Sequence, residues 1–390
     1  MNIEQIRKDI KDCDKKFFLD SAGSSLMPKS VVKQITTYLQ SEENHGGYLV
    51  AENEREDIEI FYSQAAQLIN SKPYNIAYTH DATDSYIKAL SSINFKSNDV
   101  IITSDVDYGS NQIQFLSLKK RFGIKIKRIK TLENGELDLL DFENLVDIHK
   151  PKLVAITHVP TNSGLIQNVK AIGKICNERH VLFLLDACQS IGQINVDVQE
   201  IKCDFLTVTG RKFLRGPRGT GFLYVSDRVL KEDYYPLFID GFGARWTKTD
   251  DFEIIESAKR FETWEKPYAL KIGFTEALRY LNQIGIDNVQ SYNSKLMKHF
   301  RNNISSIPGI NLYDKGLKKC NILTFNKTNK SLEHTITKLK ENNIYFSVSN
   351  KQWGIIDFEK KEVEWVIRLS PHYFNTLTEI DYVSEVIDGM

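Results

Sequence analysis

Short apolar runs separated by amphipathic segments dominate the middle of the chain. Residues 76–78, 100–102, 153–156, 181–185 and 205–208 are mostly apolar, often β-branched, 124–129 intersperses Ile with Lys and Arg, and all six read as buried strands. A seventh run, 220–225, follows a turn. Apolar positions at helical spacing over 85–94, 112–122, 141–149 and 169–179 separate most of these strands. Strand and helix in turn predict an α/β fold, a mostly parallel sheet with helices on both faces, whose ligands lie beyond the carboxyl ends of the strands.

The flanks follow other patterns. Residues 1–15 read as a short polar helix, and Phe17 to Ser25 as a brief strand entering a loop of small residues, where a backbone can approach a ligand closely. Residues 29–40 and 55–69 are helix-like, with His45-Gly46-Gly47-Tyr48 between them as a flexible loop. Past Gly241, a loop holds Arg245 and Trp246, and Arg260-Phe261-Glu262-Thr263-Trp264 follows it. A long helical stretch over 268–300 then leads to a second, smaller pattern: strand 321–325, helix 332–342, strands 344–348 and 363–369, and a last helix from 378. This predicts an N-terminal helix (1–15), a large domain (16–265) and a smaller α+β domain (266–390) on which part of the N-terminus packs.

Composition narrows the function classes. Lys+Arg and Asp+Glu balance at 51 each, so no global field recruits nucleic acid or an anionic membrane. Five widely spaced cysteines with no C-x-x-C pair argue against a disulfide framework or a metal centre. A charged N-terminus and the lack of a long apolar run predict a cytoplasmic protein.

The candidate chemistry lies at the predicted strand ends. After 205–208 come Thr209-Gly210-Arg211-Lys212 and a turn rich in Gly, Pro and Arg. A lysine held past a buried strand, among cations, is placed to lose its proton and act as a nucleophile toward an aldehyde. Strand 181–185 ends in Asp186-Ala187-Cys188-Gln189, and a carboxylate closing an apolar strand calls for a cationic partner such as a protonated pyridine nitrogen. Ala82 and Thr83, in a hydroxylic turn opening a helix, suit a phosphate, as do Thr209 and Arg211. Tyr108 offers a ring to stack on a flat ligand, and Asn162 and Gln189 offer amides to a ring oxygen. Taken singly, each has an ordinary structural explanation. Together they match pyridoxal 5′-phosphate.

At Leu19-Asp20-Ser21-Ala22, Ala82-Thr83-Asp84-Ser85, Asp186-Ala187-Cys188-Gln189-Ser190 and Thr209-Gly210-Arg211-Lys212 the chain resembles the class V aminotransferases among the fold type I pyridoxal phosphate enzymes, from Phe17 to its end. The resemblance implies a seven-stranded, mostly parallel sheet, a homodimer sharing its active sites, and an amino-acid substrate whose carboxylate meets Arg368 beside Ala22 and Gly23. Cysteine desulfurases of this group carry a cysteine on a small-domain loop. Here that segment, Ser349 to Phe358, has none, which disfavours desulfuration. His45 to Glu52 is similar to the ergothioneine-pathway carbon-sulfur lyases, so the reading favours β-elimination on a cysteine conjugate or cysteine sulfoxide, with Lys212 as the base. The alternatives are an aminotransferase or epimerase, and a catalytically idle binding or regulatory protein.

Overall fold

Residues in the central strands alternate between two apolar layers, which is why the runs read as continuously hydrophobic. Ile76, Ile102, Val154, Phe183, Leu185 and Val208 face one core; Ala77, Ile101, Leu153, Leu184 and Phe205 face the other. The computed structural model describes residues 1–390. A two-residue strand, β1 (Phe17–Phe18), precedes the large sheet of β2 (Ile76–Thr79), β3 (Val100–Thr103), β4 (Lys125–Arg128), β5 (Leu153–Thr157), β6 (Leu182–Asp186), β7 (Phe205–Thr209) and β8 (Gly221–Val225). Their order is β2-β8-β7-β6-β5-β3-β4, and only β8 runs antiparallel to its neighbours. The predicted α/β fold with seven strands is therefore the observed one.

Beyond the large sheet, β9 (Ala244–Lys248) and β10 (Asp251–Ile254) form a hairpin. Strands β11 (Ile310–Leu312), β12 (Leu323–Lys327), β13 (Ile344–Tyr345), β14 (Ser347–Asn350) and β15 (Trp365–Leu369) follow. Four of them make an antiparallel sheet ordered β11-β12-β15-β14, while β13 pairs in parallel with β1. The N-terminal segment is stitched on further, because Ser21 N–H donates to the Ser370 carbonyl (3.1 Å) and Ala22 N–H to the Ser370 hydroxyl (2.9 Å).

Three local expectations are corrected. The stretch over 268–300 is two helices, Tyr268–Ile284 and Ile286–Ser305, divided at Gly285, whose φ of +83° breaks the helical path. The loop at 45–48 is instead a junction: helices Lys29–His45 and Gly47–Asn53 meet at Gly46, φ +80°. The loop bearing Arg245 and Trp246 is the β9–β10 hairpin, whose side chains are mostly exposed and so lack the apolar alternation that marks a half-buried strand.

Candidate active site

Four parallel strands deliver side chains to one edge. Thr103 ends β3, Thr157 ends β5, Asp186 ends β6 and Thr209 ends β7. A cavity of ≈ 200 Å³ opens there, lined by Asp81, Ala82, Thr83, Tyr108, Asn111, Thr157, Val159, Thr161, Asp186, Cys188, Gln189, Thr209, Arg211, Lys212, Arg218 and Gly219. Eight residues singled out in the sequence thus line one cavity, although they span residues 82 to 212.

Lys212 is buried, and that burial pulls its ammonium down to about 8; the neighbouring Arg211 acts in the same direction, while Cys188 and Asp186 oppose it. The turn carrying it is anchored by Arg215, itself 1% exposed at φ +59°. Arg215 N–H donates to the Lys212 carbonyl (2.9 Å), its Nε to the Leu26 carbonyl (2.9 Å) and its Nη1 to the Tyr373 hydroxyl (2.8 Å). Its guanidinium also lies 5.1–5.5 Å from the rings of Tyr280, Tyr373 and Phe374. Lys212 therefore projects from a rigid turn.

The Asp186 carboxylate accepts from Asn111 Nδ2 (3.0 Å) and from the Cys188 N–H (3.0 Å). Beneath it lies Asp107, buried and held by the hydroxyls of Thr103 and Thr157; burial, aided by the charge of Asp186, pushes its carboxyl up to about 6. Helix Ala82–Ser91 starts on the cavity, with Asp81 capping the Asp84 N–H (2.9 Å), so Ala82 and Thr83 present the first amides of its positive end. Tyr108 stands at the mouth, 41% exposed, at the start of helix Gly109–Phe122.

The other predicted residues either lie outside the cavity or line it with their polar groups turned to other partners. Asn162 does not line the cavity, and its amide faces Gly354; Thr161, one residue earlier, lines the cavity instead. Gln189 Nε2 is already engaged by the Thr161 hydroxyl (2.8 Å) and the Ala22 carbonyl (3.2 Å), so its free atom is Oε1, buried and without a partner. Arg211 lines the cavity, but its guanidinium donates to the Gly23 carbonyl rather than pointing to the helix start. Ala22 and Gly23 thus sit one layer behind the cavity and hold Gln189 and Arg211 by their carbonyls. Arg368 is also in that layer. Its Nη1 donates to the Thr161 hydroxyl (2.9 Å), its Nη2 to the Ser347 hydroxyl (3.1 Å), Asp20 lies 3.6 Å away, and Nε has no partner. Burial lowers the Arg368 guanidinium from its ordinary value, against the opposing pull of Asp20.

Sequence reasoning missed Asn111, Thr161 and Asp107. Asn111 had a usable signal, since it falls in the first turn of the helix that Tyr108 opens. Thr161 differs from Asn162 by one residue of register in a loop. Asp107 had half a signal, because Thr103 lies four residues before it while its other partner, Thr157, ends a separate strand.

The residue set fits pyridoxal phosphate: a helix start for a phosphate, a carboxylate for a ring nitrogen and a depressed amine share one cavity, with Gln189 Oε1 as a buried acceptor left without a donor. Known proteins agree. The family model described as "Aminotransferase class-V" matches residues 17–383. The chain is 29% identical to a probable cysteine desulfurase of Methanothermobacter thermautotrophicus, covering 100% of this chain and 98% of that one, and 27% identical to one of Pyrococcus abyssi, covering 99% and 97%. The apo structure of the cysteine desulfurase from Thermococcus onnurineus NA1 superposes with a TM-score of 0.91 at 26% identity, over 100% of this chain and 98% of that one. These full-length likenesses overturn the expectation of a lyase acting on cysteine conjugates or sulfoxides, and the short match at His45 to Glu52 carries no weight against them. They equally overturn the expectation that the missing loop cysteine disfavours desulfuration: one absent side chain was set against the whole chain. This chain is a pyridoxal-phosphate-dependent enzyme and belongs to the class-V aminotransferase family.

Proposed function

We propose that the enzyme is a cysteine desulfurase, which removes the Sγ atom of L-cysteine and leaves alanine. The observation that carries this reading is the convergence of Lys212, Asp186 and the start of helix Ala82–Ser91 on one cavity, in a chain whose full-length relatives are named cysteine desulfurases. Ala82, Thr83 and Thr209 would hold the phosphate of pyridoxal phosphate, Asp186 its ring nitrogen, Tyr108 one ring face and Lys212 its aldehyde. Bound there, the cofactor supplies an electron sink for bonds at the substrate Cα.

The chain's own groups do the rest. Arg368, with an unpartnered Nε, receives the substrate carboxylate beside Thr161. Lys212 Nζ, with its pKa near 8, removes the Cα proton and returns a proton to carbon. Asn111 and the Cys188 amide keep the Asp186 carboxylate aimed into the cavity, and Asp107 fixes Thr157 beside it. Asn162 has no role in this arrangement.

The enzyme works as a homodimer in the cytoplasm. Leu237, Phe238, Trp246 and Trp264 are each more than 60% exposed, which suits a surface covered by a second copy, and five free cysteines suit a reducing compartment. Incubating the holoenzyme with L-cysteine and dithiothreitol tests the activity. Alanine and sulfide in equal amounts are expected; pyruvate and ammonia in place of alanine would reject the assignment.

A further inference from the structure

Desulfuration needs an acceptor for the departing sulfur, and the placement of the cysteines limits where it can come from. Residues 1–390 contain five. Cys13, Cys176, Cys203 and Cys320 are at most 6% exposed, are packed into the apolar cores, and do not line the cavity. Cys188 does line it, but beside the Asp186 carboxylate. Burial pushes all five thiols above their ordinary range, so the thiolate, the form that attacks sulfur, is scarce at each.

The segment near the mouth brings no thiol either. It forms a short turn, Lys351–Trp353, and a helix, Ile355–Lys361. Lys361 Nζ donates to the Asn162 carbonyl (2.8 Å), Lys360 pairs with Asp105, and the Trp353 carbonyl packs on Gly109, where a β-carbon would come within 2.6 Å of it. The segment is pinned down, with Lys, Gln and Trp in its turn. Beside it, Tyr108, Arg218 and Gly219 are exposed in the single subunit.

We infer that the sulfur acceptor is a low-molecular-weight thiol entering from solvent past Tyr108, and not a cysteine of residues 1–390. This rests on the desulfurase reading. The acceptor thiolate attacks Sγ of the bound cysteine. An S–S bond forms as the Cβ–Sγ bond breaks, the electron pair of the broken bond stays with carbon, and Cβ takes up a proton. One cysteine and one thiol become one alanine and one persulfide, with no external oxidant or reductant. A slender reagent is required because Lys212 and Gln189 are buried at the base of the cavity.

The test is a single turnover with holoenzyme in excess over L-cysteine, so that no second cysteine molecule can act as acceptor. Alanine is expected to be lost when no thiol is added and to form fully with dithiothreitol or glutathione, with the persulfide on the small thiol and the protein mass unchanged. Alanine without added thiol, accompanied by a gain of one sulfur atom on the protein, would overturn the inference. So would turnover supported by a reduced thiol protein but by neither small thiol. Absence of alanine with every thiol is a different result, and it removes the desulfurase reading together with this inference.

Discussion

The two sides of the site are built differently. On the large-sheet side, Thr157, Asp186 and Thr209 are the last residues of parallel strands, and Lys212 follows three residues later in a turn locked by Arg215. On the small-sheet side, nothing is placed by a strand end alone. Arg368 is in register with Ser347 on β14, and its guanidinium is aimed by Thr161, Ser347 and Asp20, residues from three distant parts of the chain. The first side is rigid because a backbone ladder holds it; the second depends on side chains and on how the segments bearing them dock. On the proposed function, the reacting groups sit on the frame, and the substrate-binding group on the part that packing must bring in.

Breaking the rigid side is expected to have the largest effect. Lys212→Ala should remove the absorbance of the bound cofactor's link to protein and lower kcat by on the order of 10⁴-fold or more, as for a residue that acts directly on the reacting atoms. Asp186→Asn keeps the shape but removes the charge. A fall in kcat/KM on the order of 10²-fold, with weaker retention of the cofactor on dialysis, is expected.

On the other side, Arg368→Lys retains a cation but loses the planar fork. KM for L-cysteine should rise by roughly tenfold to 100-fold while cofactor absorbance stays intact, which separates substrate binding from cofactor binding. Gly109→Ala tests the docking of the segment near the mouth. The new β-carbon meets the Trp353 carbonyl, so the segment should loosen by about 1–3 kcal/mol, read as faster amide exchange over residues 351–361.

The smallest expected effects are those of pH. With Lys212 brought to about 8, uptake of pyridoxal phosphate by the apoprotein should rise from pH 7 and level off above about 8, well before an ordinary lysine at 10.5 would. Stability should fall in acid. Burial drives His158 to about 4 and His372 to about 3, from 6.5, so the unfolded chain binds protons that the folded chain refuses; the stability present above pH 6.5 is lost as pH falls toward 3. Asp107, raised to about 6 from 3.8, works the other way, because the folded chain keeps a proton there that the unfolded chain has released. Asp20 and Asp357, also raised by burial, act with Asp107, yet the two large imidazole shifts still give a net loss, seen as a falling thermal midpoint between pH 6.5 and 4. A flat profile would mean that both rings accept protons without unfolding.

Periodicity determined the sheet, its helices and the edge at which to look, because a strand buried on both faces cannot hide its apolar run. It also determined Lys212 and Asp186, since a charge closing such a run is conspicuous to inspection of the sequence alone. Register inside a loop was beyond it: Thr161 and Asn162 have similar chemistry, and only the packing of Gly354 against Asn162 decides which reaches the cavity. Asp107 was overlooked because one of the two threonines that hold it, Thr157, comes from a strand fifty residues away. The single cysteine missing from a small-domain segment weighed too heavily in sequence, where a residue's absence stands out, whereas the fold is set by hundreds of contacts that survive its loss. Local chemistry is written along the chain; which groups meet is decided when distant segments close on one another and exclude water.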